Sequence, residues 1–460
     1  MTMYTNLVSN ALGGVIRAAM PALGKLSNDQ LLALVPPIPV RRDTGWDSLR
    51  ELVRGDTVVL NFLRHIQQRG DSPEILRDRI KRYIINPMVI GGRARRQVRT
   101  QHGIAGLGSI SITPTVICNL HCDLCYNLTE IHHDPKEVLA RDVMDKIMTE
   151  GKQVGAYRYT FIGGEPLIRW KDIHALAEKH DDTMVTIISN GLLLTEEMAR
   201  AFARLGNVEL SISIDGLEET NDASRGAGTF SKIMTAMERY RDAGGMLLFS
   251  PTLTSQNLSE VLSDEFIDLM IEKGCYMGYY HHYDMIGGQD RKDLLLTMEQ
   301  LSWMDRRIKQ LVSEKPIAIA DQVLNRLMVG GCPAVRDFIH FNQRGEAEPC
   351  CMVPFAADNI KDRSLIDILK SPYFSRLGSI ASDDDGIKHC LVGANTHVIE
   401  EAVDRGEAFG TTKSSHEVFL QHAGDDGRLH PTCFSASIVD HASDRAGEGR
   451  KRRVRLPLFS

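Results

Sequence analysis

What the 460-residue sequence lacks narrows it first. It holds no stretch of about 18 consecutive apolar residues, so no membrane-spanning helix is expected. It has no surplus of basic charge: 54 Lys and Arg stand against 60 Asp and Glu, a net charge of −6. A dominant nucleic-acid footprint needs a basic face, so a nucleic-acid partner is not expected. A cleavable secretion signal is also missing. Ala11 to Ile16 is apolar, but Arg17 interrupts it and no basic segment precedes it. The expected compartment is therefore cytoplasmic, where thiols stay reduced. Compositional bias is absent as well, with 43% hydrophobic and 25% charged residues, which excludes collagen-like and wholly disordered chains. Finally, the cysteines cannot all pair. Nine is an odd number, and a long chain needs no disulfide scaffold, so the thiols are buried hydrophobes, nucleophiles or metal ligands.

What is present divides into four stretches. Residues 1–105 read as a helical N-terminal region, because Leu49, Leu52, Val53, Val58, Leu60, Leu63 and Ile66 recur at helical spacing. Within it, the basic stretch 91–96 reads as a solvated connector. From 106 to 325 the rhythm changes. Apolar β-rich runs at 109–117, 157–162, 184–188, 208–214, 246–253 and 275–283 alternate with helical patterns at 136–150, 170–179, 196–205, 230–243 and 259–273. Such alternation predicts an α/β fold with a parallel sheet of right-handed βαβ units. A full eight-unit barrel usually takes about 250 residues, so a partial (βα)6 TIM-like barrel fits better. Residues 326–395 form a denser, turn-rich and cysteine-containing α+β extension, and 396–460 a C-terminal tail read as partly disordered.

Cys118, Cys122 and Cys125 lie within eight residues, directly after the first β-run. That is the C-terminal end of a barrel strand, where active sites form in such folds. Three thiolates on one loop leave the fourth iron of a four-iron cluster open, whereas electron-transfer clusters close with four Cys. Structural zinc is the alternative, with His121 as a fourth ligand, but structural zinc prefers paired short spacings.

The spacing Cys118-x-x-x-Cys122-x-x-Cys125 resembles the signature of the radical S-adenosylmethionine (radical SAM) superfamily, and further segments resemble its other elements in order. Gly163-Gly164-Glu165-Pro166 ends the second run, Ser189-Asn190-Gly191 the third and Ser211-Ile212-Ser213-Ile214-Asp215-Gly216 the fourth; Arg225 to Phe230 follows. The resemblance implies a [4Fe-4S] cluster on the three thiols, with S-adenosylmethionine chelated at the open iron. It implies reductive cleavage to a 5′-deoxyadenosyl radical that abstracts hydrogen from a substrate, with a flavodoxin- or ferredoxin-type electron donor. Leu124 is then expected near the adenine, and Gly163, Gly164, Glu165, Asn190, Ser211, Ser213, Asp215 and Arg225 around the cofactor. Glycines let a backbone approach a ligand closely, and a carboxylate can hold an ammonium. Arg225 is expected on the cofactor carboxylate, for which its planar fork is suited. If Ser211 and Ser213 alternate with Ile212 and Ile214, both serines face the barrel interior. Tyr279 to Tyr283 end the sixth run; Tyr280, His281 and His282 are the catalytic candidates, against the alternative of a packed aromatic strand end.

Cys332, Cys350, Cys351 and Cys390 form a second group, with a hairpin expected around Gln343-Arg344-Gly345 and a helix over 364–374. This resembles the SPASM or twitch extension of radical SAM enzymes and implies an auxiliary iron–sulfur cluster on those four cysteines. The fuller SPASM pattern uses more cysteines than this chain supplies, and lone buried thiols are the alternative. Cys275 and Cys433 are read as ordinary residues. The substrate is left open between a small-molecule or lipid intermediate and a peptide. The N-terminus lacks the β-rich half of the winged-helix module that peptide maturases often carry, which weighs against a peptide. A non-catalytic zinc or iron–sulfur protein is the competing function.

Overall fold

The computed structural model describes residues 65, 73–125, 137–283, 291–321, 332–381, 395–412 and 415. Cys390 and Cys433 lie outside them, as does the C-terminal tail beyond 415.

Among the described residues, the N-terminal region shows α1 (Pro73–Ile80), which continues as a wider π-helical stretch, Lys81–Ile90, around Pro87. Proline donates no N–H and crowds the preceding turn, so a widened coil at that point is expected. Helix α2 (Gly91–His102) follows and ends at Gly103, which takes the left-handed conformation at φ 71°. The stretch 91–96 is thus the start of a helix and not a connector. Arg95 is 5% exposed, and its Nη1 donates to the Gly155 carbonyl at 3.1 Å. The run of arginines disguised one side chain that is held inside.

The helices have a defined seat. Asn86 Nδ2 donates to the Asp182 carbonyl (2.7 Å), Arg82 Nη1 to Leu205 (2.9 Å) and Arg79 Nη2 to Gly244 (3.2 Å). These acceptors lie in three successive turns that lead into strands, so the N-terminal helices close the end of the barrel where its strands start.

The barrel runs as β1 (Ser109–Ile112), α3 (Arg141–Val154), β2 (Arg158–Phe161), α4 (Trp170–Lys179), β3 (Met184–Ser189), α5 (Glu196–Leu205) and β4 (Val208–Ser213). It continues through α6 (Glu218–Arg225), α7 (Thr229–Asp242), β5 (Met246–Ser250), β6 (Thr252–Leu253), α8 (Leu258–Val261), α9 (Asp264–Glu272) and β7 (Cys275–His282). Then come α10 (Met298–Glu314) and β8 (Ala318–Asp321). The expected units are present. Pro114 ends the first run early and Pro251 divides the fifth, since neither can donate to a ladder. Ser263 divides the helical pattern 259–273 by capping α9, its hydroxyl accepting from Phe266 N at 3.1 Å.

The C-terminal extension joins this sheet. Strand β9 (Phe338–Phe341) pairs in parallel with β1 and turns into antiparallel β10 (Ala347–Glu348), giving the order β10-β9-β1-β2-β3-β4-β5-β7-β6, with β8 beside β7. The expected hairpin forms, but it widens the barrel sheet instead of standing apart. A two-stranded sheet, β11 (Phe355–Ala356) with β12 (Phe409–Gly410), lies beyond it. The expected helix over 364–374 is two, α11 (Leu365–Leu369) and α12 (Pro372–Ala381), divided at Pro372; α13 (Thr396–Asp404) packs on α12.

The two faces of the sheet differ chemically. Ile110, Ile112, Phe161, Ile187, Leu210, Ile212 and Phe249 are buried in one apolar core with the helices. Strand alternation turns Ser111, Thr113, Thr186, Glu209 and Ser211 to the concave face. One irregularity resets the last strand. Leu247 pairs with Cys275 but Leu248 with Met277, a bulge that turns Tyr276 inward, where its hydroxyl donates to Glu209 Oε2 at 2.6 Å. From there on Tyr279 and His281 face inward, and Tyr280 and His282 outward.

Candidate active site

The three-cysteine loop hangs from a short stem, Thr115–Ile117, that runs beside the end of β2. Gly164 N donates to the Thr115 carbonyl at 2.9 Å and Glu165 N to the Ile117 carbonyl at 2.8 Å. A Cβ on Gly164 would lie 2.1 Å from the Ile117 oxygen, and one on Gly163, whose φ is 125°, would lie 2.6 Å from the Thr115 oxygen. The glycines therefore admit the stem of the cysteine loop; the close approach is to the chain's own backbone.

Glu165 is buried and well held. Its Oε1 accepts from Leu167 N (2.9 Å) and Ser189 Oγ (2.8 Å), and its Oε2 accepts from Asn190 N (2.9 Å). A carboxylate offers about four acceptor positions, so one remains on Oε2. Burial pushes this carboxyl above its ordinary range, opposed by those hydrogen bonds and by the Arg225 charge. Asn190 Nδ2 donates to Asn119 Oδ1 at 2.8 Å and stands 3.9 Å from Cys118 Sγ, so the end of β3 touches the first thiol.

Asp215, at the end of β4, is 1% exposed and gathers a cluster. Arg225 pairs with it: Nη2 donates to Oδ1 at 3.0 Å, and Nε stands 2.8 Å from Oδ2. Ser224 Oγ donates to Oδ2 at 2.9 Å and Thr252 N to Oδ1 at 2.9 Å. Two residues expected to face the cofactor independently thus form one buried ion pair. The Ser224 carbonyl in turn accepts from Asp123 N at 3.1 Å, which ties α6 to the loop between the second and third cysteines. Asp222 explains the element that follows: it accepts from Phe230 N at 2.8 Å and Thr229 Oγ1 at 3.1 Å, and so folds the 226–229 turn into α7.

The three thiols are partly exposed and free of disulfides. Burial raises Cys118 and Cys122 above the ordinary thiol range, and for Cys122 the Arg225 charge opposes this most strongly. Leu124 packs against Tyr283, Leu294 and Leu295. Ser211 is buried and Ser213 half-buried, opposite in face to buried Ile212 and Ile214.

The catalytic candidates separate. His281 faces inward edge-on to Tyr279, with ring centroids 4.9 Å apart. Burial and the neighbouring His282 push its pKa down to about 4, against the pull of Asp215, so the imidazole is neutral near pH 7. Tyr280 turns the other way. It is fully buried in the outer core, and its hydroxyl donates to the Val261 carbonyl at 2.8 Å. His282 also points outward, its Nε2 3.2 Å from Asp321 Oδ1. The bulge at Tyr276 sets this parity, so of the three candidates only His281 faces inward.

In the second group, the adjacent Cys351, burial and the nearby Cys332 push the Cys350 thiol well above its ordinary range. Register sets their place. Ser111 and Glu348 both pair with His340, and β10 runs antiparallel to β1. The chain therefore leaves β10 for Cys350 toward the start of β1, while Cys118 follows its end. His340 lies between, its Nδ1 2.8 Å from Ser111 Oγ and Nε2 3.3 Å from Thr113 Oγ1. Its pKa is pushed down to about 3 by burial. Ser224, Thr252, Asn119 and His340 carried no signal in the sequence beyond their neighbours' motifs, because each acts across a fold contact.

Residues 112–266 match the family model of the radical SAM superfamily. The mycofactocin maturase MftC of Mycolicibacterium smegmatis is 32% identical over 166 residues, 35% of this chain and 41% of the relative. The AdoMet-dependent heme synthase of Methanosarcina barkeri is 26% identical over 283 residues, 55% of this chain and 79% of the relative. The chain thus spans less than half the length of the maturase. Streptococcus suis SuiB bound to S-adenosylmethionine shares the fold, with a TM-score of 0.54 at 18% identity over 63% of this chain and 72% of SuiB. Residues 112–266 of this chain are a radical SAM superfamily domain.

Proposed function

We propose that this chain is a radical SAM enzyme, with a [4Fe-4S] cluster on Cys118, Cys122 and Cys125 and S-adenosylmethionine on the strand ends beside them. The family implies both groups, and the donor set suits them. Three thiols share one loop, and Glu165 keeps one acceptor position suited to an ammonium beside Asn190 and Cys118. When bound, the cluster and cofactor supply reductive cleavage to methionine and a 5′-deoxyadenosyl radical that takes hydrogen from substrate. The observation that carries the reading is convergence: the cysteine loop, Glu165, Asn190, Asp215 and Arg225 meet at one end of one sheet through the bonds described above.

The chain's own residues then have distinct tasks. Glu165 orients the amino group of the cofactor. Asp215 and Arg225, already joined, bind as a unit, and Ser211 and Ser213 line the concave floor. Leu124, packed on Tyr283, places an apolar surface beside the adenine. His281, neutral and inward-facing, is the candidate to contact substrate. A flavodoxin- or ferredoxin-type protein supplies the electron. A second iron–sulfur cluster on Cys332, Cys350 and Cys351, with Cys390, is part of the proposal. The relatives bear names as different as maturase and heme synthase, so the substrate class stays open between peptide and small molecule.

Iron content tests this reading. Anaerobically reconstituted protein should be brown and lose about four irons when Cys118, Cys122 and Cys125 are changed together to Ala. A colourless protein holding one zinc per chain would establish the structural-metal reading instead.

A further inference from the structure

We propose that the Arg225–Asp215 pair is a positioning device for the cluster itself: the guanidinium sets the charge around the cysteine loop, and Asp215 holds it there and partly cancels it. This rests on the cluster reading above and concerns the loop before any cofactor binds.

Three observations lead to it. First, Arg225 is already paired before any cofactor binds: its side chain is 10% exposed and ion-paired with Asp215, itself 1% exposed. The hydrogen bond runs from Nη2 to Oδ1 at 3.0 Å, while Nε stands 2.8 Å from Oδ2 as an ion-pair contact. Second, the pair is fastened to the thiol loop. Asp123, between Cys122 and Cys125, donates its N–H to the carbonyl of Ser224, the residue before Arg225. Ser224 Oγ also donates to Asp215. Third, both charges are buried beside that loop: the bond from Asp123 N sets Ser224, and with it Arg225 and Asp215, next to Cys122. These are buried charges, so water and salt screen them little.

The consequence has a definite sign. A cluster that gains one electron gains negative charge, and cluster potentials respond to nearby charge. A fixed cation favours the reduced form, and a fixed anion disfavours it. Removing the Arg225 charge should lower the midpoint potential, and removing the Asp215 charge should raise it, although a simple loss of local packing would move both variants the same way.

The experiment is a potentiometric titration, followed by electron paramagnetic resonance, of the full-length reconstituted protein without S-adenosylmethionine. Wild type, Arg225→Gln, Arg225→Lys and Asp215→Asn are compared. The Cys118→Ala, Cys122→Ala, Cys125→Ala triple variant identifies the signal that belongs to the loop. Arg225→Gln should lower the reduced-to-oxidised ratio at fixed potential about tenfold, which is 59 mV for one electron. Asp215→Asn should raise the ratio, and Arg225→Lys, which keeps the charge, should stay near wild type. Equal potentials in all four proteins, or shifts of the same sign in the Gln and Asn variants, would overturn the proposal. If the triple variant keeps every signal, the cluster reading itself fails, which is a separate outcome.

Discussion

Gly164 shows how much a single missing side chain can organise. A methyl group there would lie 2.1 Å from the Ile117 carbonyl oxygen and would push the cysteine stem away from β2. Overpacking of this kind costs about 1–3 kcal/mol, and here the neighbour is backbone that cannot rotate aside. Gly164→Ala should therefore lower the unfolding midpoint and bind less iron, although no thiol is changed. Normal iron loading in a destabilised variant would show that the stem does not position the loop. The sequence revealed that the two glycines mattered, because they preceded a carboxylate at a strand end. It could not reveal that they serve the stem Thr115–Ile117 directly before the first cysteine, since that contact closes over a whole βα unit. The same limit applied to Tyr280 and His282. Alternation in β7 is readable only if no bulge intervenes, and the one at Tyr276 is set by pairing with β5.

At the scale of elements, the closed end of the barrel is a polar device. Glu209 on β4 is 1% exposed and accepts from Thr186 Oγ1 and Tyr276 hydroxyl, each at 2.6 Å. Burial pushes its carboxyl from 4.5 up to about 7. Between about pH 4.5 and 7 the folded chain keeps a proton that the unfolded chain has released, so stability falls as pH rises through that window and levels off above it. A shift of this size amounts to about 3 kcal/mol. Glu209→Gln should be flatter than wild type when urea midpoints at pH 5 and pH 7.5 are compared; an unchanged slope would show that Glu209 is ionised when folded. The strands themselves were legible from their apolar runs and the helices from their periodicity. The basic start of α2 was not, because Gly91-Gly92 and four arginines up to Arg99 look like a linker until Arg95 finds the Gly155 carbonyl.

For the whole molecule, one curled sheet carries both thiol groups. Its outer face is apolar and packed by helices, its inner face polar, and β9 extends it beside β1. Among the described residues no helix is long and apolar enough to cross a membrane. The parallel barrel was readable in the sequence because each βα unit repeats the same alternation, and the second cysteine group was readable from its hairpin. That the hairpin completes the barrel sheet was not, because a parallel partner more than 200 residues away leaves no local trace. On the two-cluster proposal, Cys332→Ala with Cys350→Ala should leave about four irons per chain of about eight. Retention of the full count would remove the auxiliary cluster from the account.

The most direct measurement is the product of cofactor cleavage. Anaerobically reconstituted, dithionite-reduced protein given S-adenosylmethionine should form 5′-deoxyadenosine and methionine in equal amounts, and the Cys118→Ala, Cys122→Ala and Cys125→Ala variants should form neither. Continued 5′-deoxyadenosine formation by those variants, or none by an iron-loaded wild type, would contradict the central claim.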